Sequence, residues 1–203
     1  MKIGVFGGTF DPIHLGHLAI AEEARRLLAL SKVIFIPAGR PYFKDSAAIS
    51  PAEDRVKMLE LAIAGQSAYI ISRLEIERPG PSYAVDSMTQ IKKQMNSADE
   101  LFFIMGWDSL MTLHLWQEPE RLISLCWIVA SPRPGFPPPD LTIVEKNLPG
   151  ITDHVIVMER PLIDISATII REKVSRGLPV DGLVPPAVAE YIREKGLYKG
   201  SRK

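Results

Sequence analysis

Two histidines spaced three apart, His14 and His17, stand behind a glycine pair in the opening stretch MKIGVFGGTFDPIHLGH. Residues at that spacing share one face of a helix, so both imidazoles address a single point. Imidazole nitrogens donate hydrogen bonds to phosphate oxygens, and a protonated ring adds charge assistance. The loop Gly7, Gly8, Thr9, Phe10 supplies backbone amides, and the start of a helix supplies the positive end of its dipole. Gly16, between the histidines, leaves room for a ligand to approach the backbone. Such a place is suited to holding phosphate and working on it. The same pair also reads as two surface histidines at a helix start. A zinc site would need further ligands; no cysteine lies nearby, and the spacing is not that of HExxH. Neither the GxGxxG fingerprint nor the GxxxxGK[ST] loop is present.

A second phosphate-handling pattern lies at Ile165-Ser166-Ala167-Thr168-Ile169-Ile170-Arg171. Ser166 or Thr168 can cap a helix and leave amides and hydroxyls for an anion, while Arg171 adds a bidentate fork. Alone, this is a capped helix with a surface arginine; its weight comes from standing in one chain with the histidine pair. Lys44 and Arg40 are either solvated loop charges or phosphate ligands, and so is Arg133. Asp108 is either a helix cap or an acceptor for sugar hydroxyls.

These residues are positioned by an alternation of short apolar runs with helical periodicity. Strands are predicted at 3–6, 33–37, 69–76, 101–105, 127–130 and 154–158. A helix over 17–30 carries Ile20, Ala24 and Leu27 on one face and turns Glu22, Arg25 and Arg26 outward. Ser50-Pro51 opens the next as cap and first turn, with Val56, Leu59 and Ile63 as its stripe and Gly65 as its end. Further helices are predicted at 83–95, 166–176 and 186–195, the last two closed by Gly177 and Gly196. The alternation predicts one domain over 1–203, a mainly parallel sheet with helices on both faces. Ligands of such sheets bind beyond the carboxyl ends of the strands. The segments to read are therefore 7–17, 38–44, 77–83, 106–109 and 131–135. The proline-dense stretch 131–139 reads as one irregular surface loop.

The chain has 203 residues, 46% hydrophobic and 24% charged, with 24 basic side chains balanced by 24 acidic ones. That is a globular composition, and the balance argues against a nucleic-acid coat or a polybasic membrane surface. Cys126, the only cysteine, lies in an apolar run and reads as a buried structural thiol, which fits a reducing compartment. No apolar run approaches a membrane span and no leader is visible, so a cytoplasmic protein is expected. Oligomeric state is left open.

GGTFDPIHLGH resembles the signature of nucleotidyltransferases that carry an HxGH motif, and ISATIIR resembles the second signature of that superfamily. Four further stretches are similar to bacterial nicotinate-nucleotide adenylyltransferases. They are Pro37-Ala38-Gly39-Arg40-Pro41 followed by Lys44, Arg78 to Tyr83 as RxGxSY, Gly106-Trp107-Asp108-Ser109 followed by Trp116, and the tail from Val184-Pro185 to Gly196-Leu197-Tyr198. The likeness covers nearly the whole chain. It departs at Phe43, where the family often has His, at Ala84, where Thr is usual, and at Trp107, where a small residue is common.

The resemblance implies a single Rossmann-like nucleotidyltransferase domain whose helices over 166–198 complete an ATP site. It implies adenylyl transfer from ATP to nicotinate mononucleotide, giving deamido-NAD and pyrophosphate, with Mg²⁺ carried on ATP. His14, His17 and Arg171 would be catalytic. Gly7, Gly8, Thr9, Phe10, Gly16, Arg133, Ser166 and Thr168 would bind ATP. Lys44, Tyr83, Ala84, Gly106, Asp108 and Trp116 would bind the mononucleotide, with Trp116 stacked on the pyridine ring. Three alternatives stay open: a phosphopantetheine adenylyltransferase, although those chains lack RxGxSY and GxDS…W; a preference for nicotinamide mononucleotide; and a non-catalytic nucleotide sensor on the same fold.

Overall fold

The apolar, β-branched runs form six strands: β1 (Lys2–Gly8), β2 (Lys32–Pro37), β3 (Tyr69–Ile71), β4 (Glu100–Gly106), β5 (Trp127–Ser131) and β6 (Val155–Val157). The coordinates are a computed structural model and describe residues 1–40 and 49–199. The strands lie in the order β3-β2-β1-β4-β5-β6, and every neighbouring pair is parallel. The chain moves outward from β1 to β3, then returns to β4 on the other side of β1. Strand order therefore reverses between β1 and β4, and their carboxyl ends flank the crevice where such sheets take ligands.

Alternation along the strands loads both faces with apolar side chains. Phe6, Val33, Phe35, Phe102, Ile104 and Val129 point to one face. They are covered by α1 (Leu15–Leu28), α2 (Ala52–Ala62), α8 (Ala167–Ser175) and α9 (Pro186–Lys195). Val5, Leu101, Phe103, Met105 and Ile128 point to the other. That face is covered by α4 (Ala84–Lys92), α5 (Trp107–Met111), α6 (Pro119–Leu125) and α7 (Leu141–Asn147). The remaining helix, α3 (Leu74–Glu77), follows β3. Cys126 is buried, as its apolar setting predicts, and burial pushes its thiol up to about 12.

Four expectations are corrected. The strand predicted at 69–76 stops at Ile71: Ser72 N–H closes on Phe35 O at 2.9 Å, and Leu74–Glu77 then turns into a helix. Ser50 does not cap α2. Its N–H donates to Asp11 Oδ2 at 3.1 Å, Pro51 takes the cap position, and Glu53 and Asp54 meet the dipole in the first turn. Leu27 is half exposed, because α1 approaches the sheet through Gly16, Ala21 and Ala24 instead. The helix predicted at 83–95 begins at Ala84 and ends at Lys92. The short helices α3, α5, α6 and α7 span no more than 7 residues, too few turns for periodicity to reveal. Among the described residues, no helix is long and apolar enough to cross a membrane.

Candidate active site

The β1–α1 loop is built on Phe10, which adopts a left-handed φ of 49° and buries its ring. That ring packs edge-on to Phe6 at 5.7 Å, Phe35 at 5.7 Å and His17 at 5.1 Å, forming a floor beneath the histidines. His14 is the N-cap of α1, and the pair makes a reciprocal capping box. His17 N–H donates to His14 Nδ1, and His14 N–H donates to His17 Nδ1, both at 3.3 Å. The rings stack with centroids 3.6 Å apart. A ring nitrogen that accepts a hydrogen bond carries its lone pair, so the proton of each neutral ring sits on Nε2. Backbone geometry thus fixes two Nε2–H donors side by side.

The surroundings of His14 disfavour its cationic form. Burial, and then the charge of Arg133, lower its pKa to about 4, so it is neutral near pH 7. Desolvation thus works against the charge assistance that a protonated ring would give at His14. Gly16 also has a neighbour within the protein. A Cβ there would stand 3.0 Å from His14 Nδ1, so its smallness makes room for the His14 ring.

Beneath the loop lies a polar network that pattern reading missed. Asp11, 4% exposed, accepts from Tyr198 Oη at 2.6 Å through Oδ1 and from Ser50 N–H through Oδ2. Arg55, 2% exposed, donates from Nη1 to Thr9 O at 2.9 Å and from Nε to Ser50 O at 3.1 Å. Burial lowers the Arg55 pKa while Asp11 and Tyr198 oppose that. Both charges are thus compensated, as buried charges must be. Their sequence signals were faint: Asp11 lies inside the GGTFDP stretch, and Arg55 stands beside the apolar stripe of α2.

The α8 pattern arrives at the same loop. Ser166 caps α8, accepting from Ile169 N–H at 3.2 Å. Arg171 donates from Nη1 to Asp11 O at 2.8 Å and from Nη2 to Thr168 Oγ1 at 3.4 Å. Two stretches separated by most of the chain therefore meet, the guanidinium gripping the backbone three residues before His14.

Across the strand-order reversal, Gly106 ends β4 and Asp108 is the second residue of α5. Arg133, just beyond β5, donates from Nη1 to Asp108 Oδ2 in an ion pair. Asp108 Oδ1 is buried and has no hydrogen-bond partner among the described residues. A Cβ on residue 106 would come within 2.5 Å of that oxygen, so glycine there leaves it space. Trp107 is core, 7% exposed. Trp116 packs edge-on to Phe103 at 6.2 Å and belongs, with Tyr83 and Ala84, to the rim of the second apolar layer. Among the described residues, no side-chain hydrogen bond caps α4 at its N-cap Tyr83. The histidines and α8 thus approach the carboxyl edge from one face of the sheet. Tyr83, Ala84 and Trp116 approach from the other, and Gly7–Gly8 and Gly106 lie between. Lys44 and Phe43 lie outside the described residues.

The family model described as cytidylyltransferase-like matches residues 5–173. The chain is 44% identical over 198 residues to the "Probable nicotinate-nucleotide adenylyltransferase" of Dehalococcoides mccartyi, covering 98% of this chain and 97% of that one. It is 43% identical over 199 residues to the protein of the same description from Thermus thermophilus, covering 98% and 100%. The solved Plasmodium falciparum nicotinic acid mononucleotide adenylyltransferase complexed with NaAD superposes with a TM-score of 0.80 over 97% of both chains; at 19% identity this shows a shared fold. The chain therefore belongs to the cytidylyltransferase-like family, and within it to the nicotinate-nucleotide adenylyltransferases.

Proposed function

We propose that this protein transfers the adenylyl group of ATP to nicotinate mononucleotide, forming nicotinate adenine dinucleotide and pyrophosphate in NAD biosynthesis. The observation that carries the reading is the convergence of Arg171 on the His14–His17 loop, through the Asp11 carbonyl. A phosphate oxygen of the mononucleotide attacks the α-phosphorus, a new P–O bond forms, and the bond from that phosphorus to the bridging β-oxygen breaks. The attacking oxygen is already ionised near neutral pH, so neither a strong base nor a covalent intermediate is needed. Catalysis is positioning and charge stabilisation.

His14 and His17 present Nε2–H to the ATP phosphates, with His17 nearest the reacting centre. The amides of Gly8, Thr9 and Phe10 line the nucleotides. Ser166, Thr168 and Arg171 hold the β- and γ-phosphates and favour the departing pyrophosphate. Arg133, already paired with one carboxylate, lies where its charge is felt at His14. The orphan oxygen of Asp108 suits a ribose hydroxyl. The N-terminal amides of α4 suit the nicotinate carboxylate, Trp116 offers an indole face to the pyridine ring, and Lys44 neutralises the mononucleotide phosphate. Among the described residues, no cluster of three or more His, Cys, Asp or Glu side chains is placed to hold a metal. Mg²⁺ enters as part of the substrate, on ATP oxygens and water, and supplies charge neutralisation there. The buried thiol of Cys126 fits the cytoplasm as the compartment.

Pyrophosphate release tests the reading, with ATP and Mg²⁺ supplied beside nicotinate mononucleotide, nicotinamide mononucleotide or phosphopantetheine. Turnover with the nicotinate substrate is expected to exceed the other two. Preferred turnover with either of the others replaces the substrate assignment, and ATP binding without turnover on any of them leaves a sensor.

A further inference from the structure

Glu75 is an acid in the interior, 8% exposed, on the short helix α3 behind β3. Ser87 Oγ donates to its Oε1 at 2.6 Å, and the Ser82 hydroxyl stands beside the same carboxylate. Burial raises the Glu75 pKa, and these two hydroxyls oppose the rise. Ser82 reaches further. Its Oγ accepts from Gly39 N–H at 3.0 Å and Arg40 N–H at 3.2 Å, and its own N–H donates to Arg40 O at 3.0 Å. Gly39 is pressed so closely onto α3 that a Cβ would overlap the Glu75 carbonyl oxygen. Arg78 lies over the cluster, with both Nη atoms 3.5 Å from Ser87 Oγ and Nη2 3.2 Å from Gln90 Oε1.

We infer that Glu75 is a positioning residue for the mononucleotide half of the site, fixing the turn behind β2 against the start of α4 through Ser82 and Ser87. The inference rests on the reading above, in which the start of α4 receives the nicotinate carboxylate. Glu75 touches no substrate in that arrangement and acts through the two serines. An apolar side chain could fill its space but would remove the carboxylate beside Ser82 and leave Ser87 Oγ only its longer contact with Tyr83 O at 3.4 Å. The ATP half hangs from β1, α1 and α8, none of which Glu75 supports. Its loss should therefore be felt by one substrate and not the other.

The test is steady-state kinetics of Glu75→Ala, Ser82→Ala and the double variant, with each substrate varied in turn. Glu75→Ala is expected to raise KM for nicotinate mononucleotide about tenfold while KM for ATP stays within about twofold. Ser82→Ala should move the same constant in the same direction, and the double variant should add little to Glu75→Ala. Equal shifts in both KM values, a fall in thermal midpoint with KM unchanged, or full additivity overturns the inference. If Glu75→Ala does not fold, the KM split of Ser82→Ala decides alone. A wild-type chain that does not turn over the mononucleotide overturns both readings. A wild-type chain that does, with variants shifting ATP and mononucleotide alike, overturns only this one.

Discussion

A histidine whose Nδ1 accepts from a backbone amide carries its proton on Nε2, and here two such rings lie stacked. The spacing HxGH made the pair legible in sequence, because residues three apart share a helix face. It did not reveal that each histidine caps the other, nor that burial strips His14 of its charge. The donors are therefore preorganised and neutral at His14, the arrangement that stabilises charge developing elsewhere without prior reorganisation. His17→Ala removes the donor that the proposed mechanism puts nearest the reacting centre and is expected to lower kcat by about 10²–10³-fold. The far-UV circular dichroism of the variant should match the wild type. Near-normal turnover in a folded His17→Ala protein removes His17 from the mechanism.

Elements with two or more turns and clear caps were readable, and those defined by a buried polar contact were not. Helix α8 was placed by its Ser166 cap, and α9 by Gly196, which closes it with a φ of 64°. The start of α2 was misread because Ser50 serves Asp11 rather than its own helix. Arg55 and Glu75 were passed over because charged side chains are rarely buried; here each is compensated by partners distant in sequence. The tail shows the same principle. Tyr198, beyond α9, donates to Asp11 Oδ1 at 2.6 Å and so ties the segment after α9 to the β1–α1 loop. Burial and Asp11 raise the Tyr198 pKa, so the hydroxyl remains a donor across the working range. Tyr198→Phe keeps the ring but leaves a buried carboxylate oxygen one donor short, a loss of about 1–3 kcal/mol. Urea unfolding measures it. An unchanged midpoint would mean that the Ser50 and Arg55 contacts hold the loop without the tail.

The molecule as a whole is a sheet with two apolar layers, and its candidate site straddles the edge where they meet. Strand alternation made the layers legible, while the meeting of α8 with β1 required a tertiary contact, Arg171 to Asp11 O. Global stability carries a signature of that site through His14. Its pKa falls from 6.5 to about 4 on folding, so between those values the unfolded chain binds more protons than the folded one. The contribution of the neutral ring is complete above pH 6.5 and is lost progressively as pH falls toward about 4, where the folded protein protonates too. The loss is about 3 kcal/mol. Carboxylates also titrate near the lower limit, so the measurement is a difference. His14→Asn keeps a side-chain oxygen suited to capping α1 but cannot titrate. Urea unfolding at about pH 7.5 and about pH 4.5 should show the wild type losing roughly 2–3 kcal/mol more than His14→Asn. Parallel losses in the two proteins would mean that His14 accepts a proton in the fold as readily as in water, and the neutral, preorganised donor assigned to it would have to be abandoned.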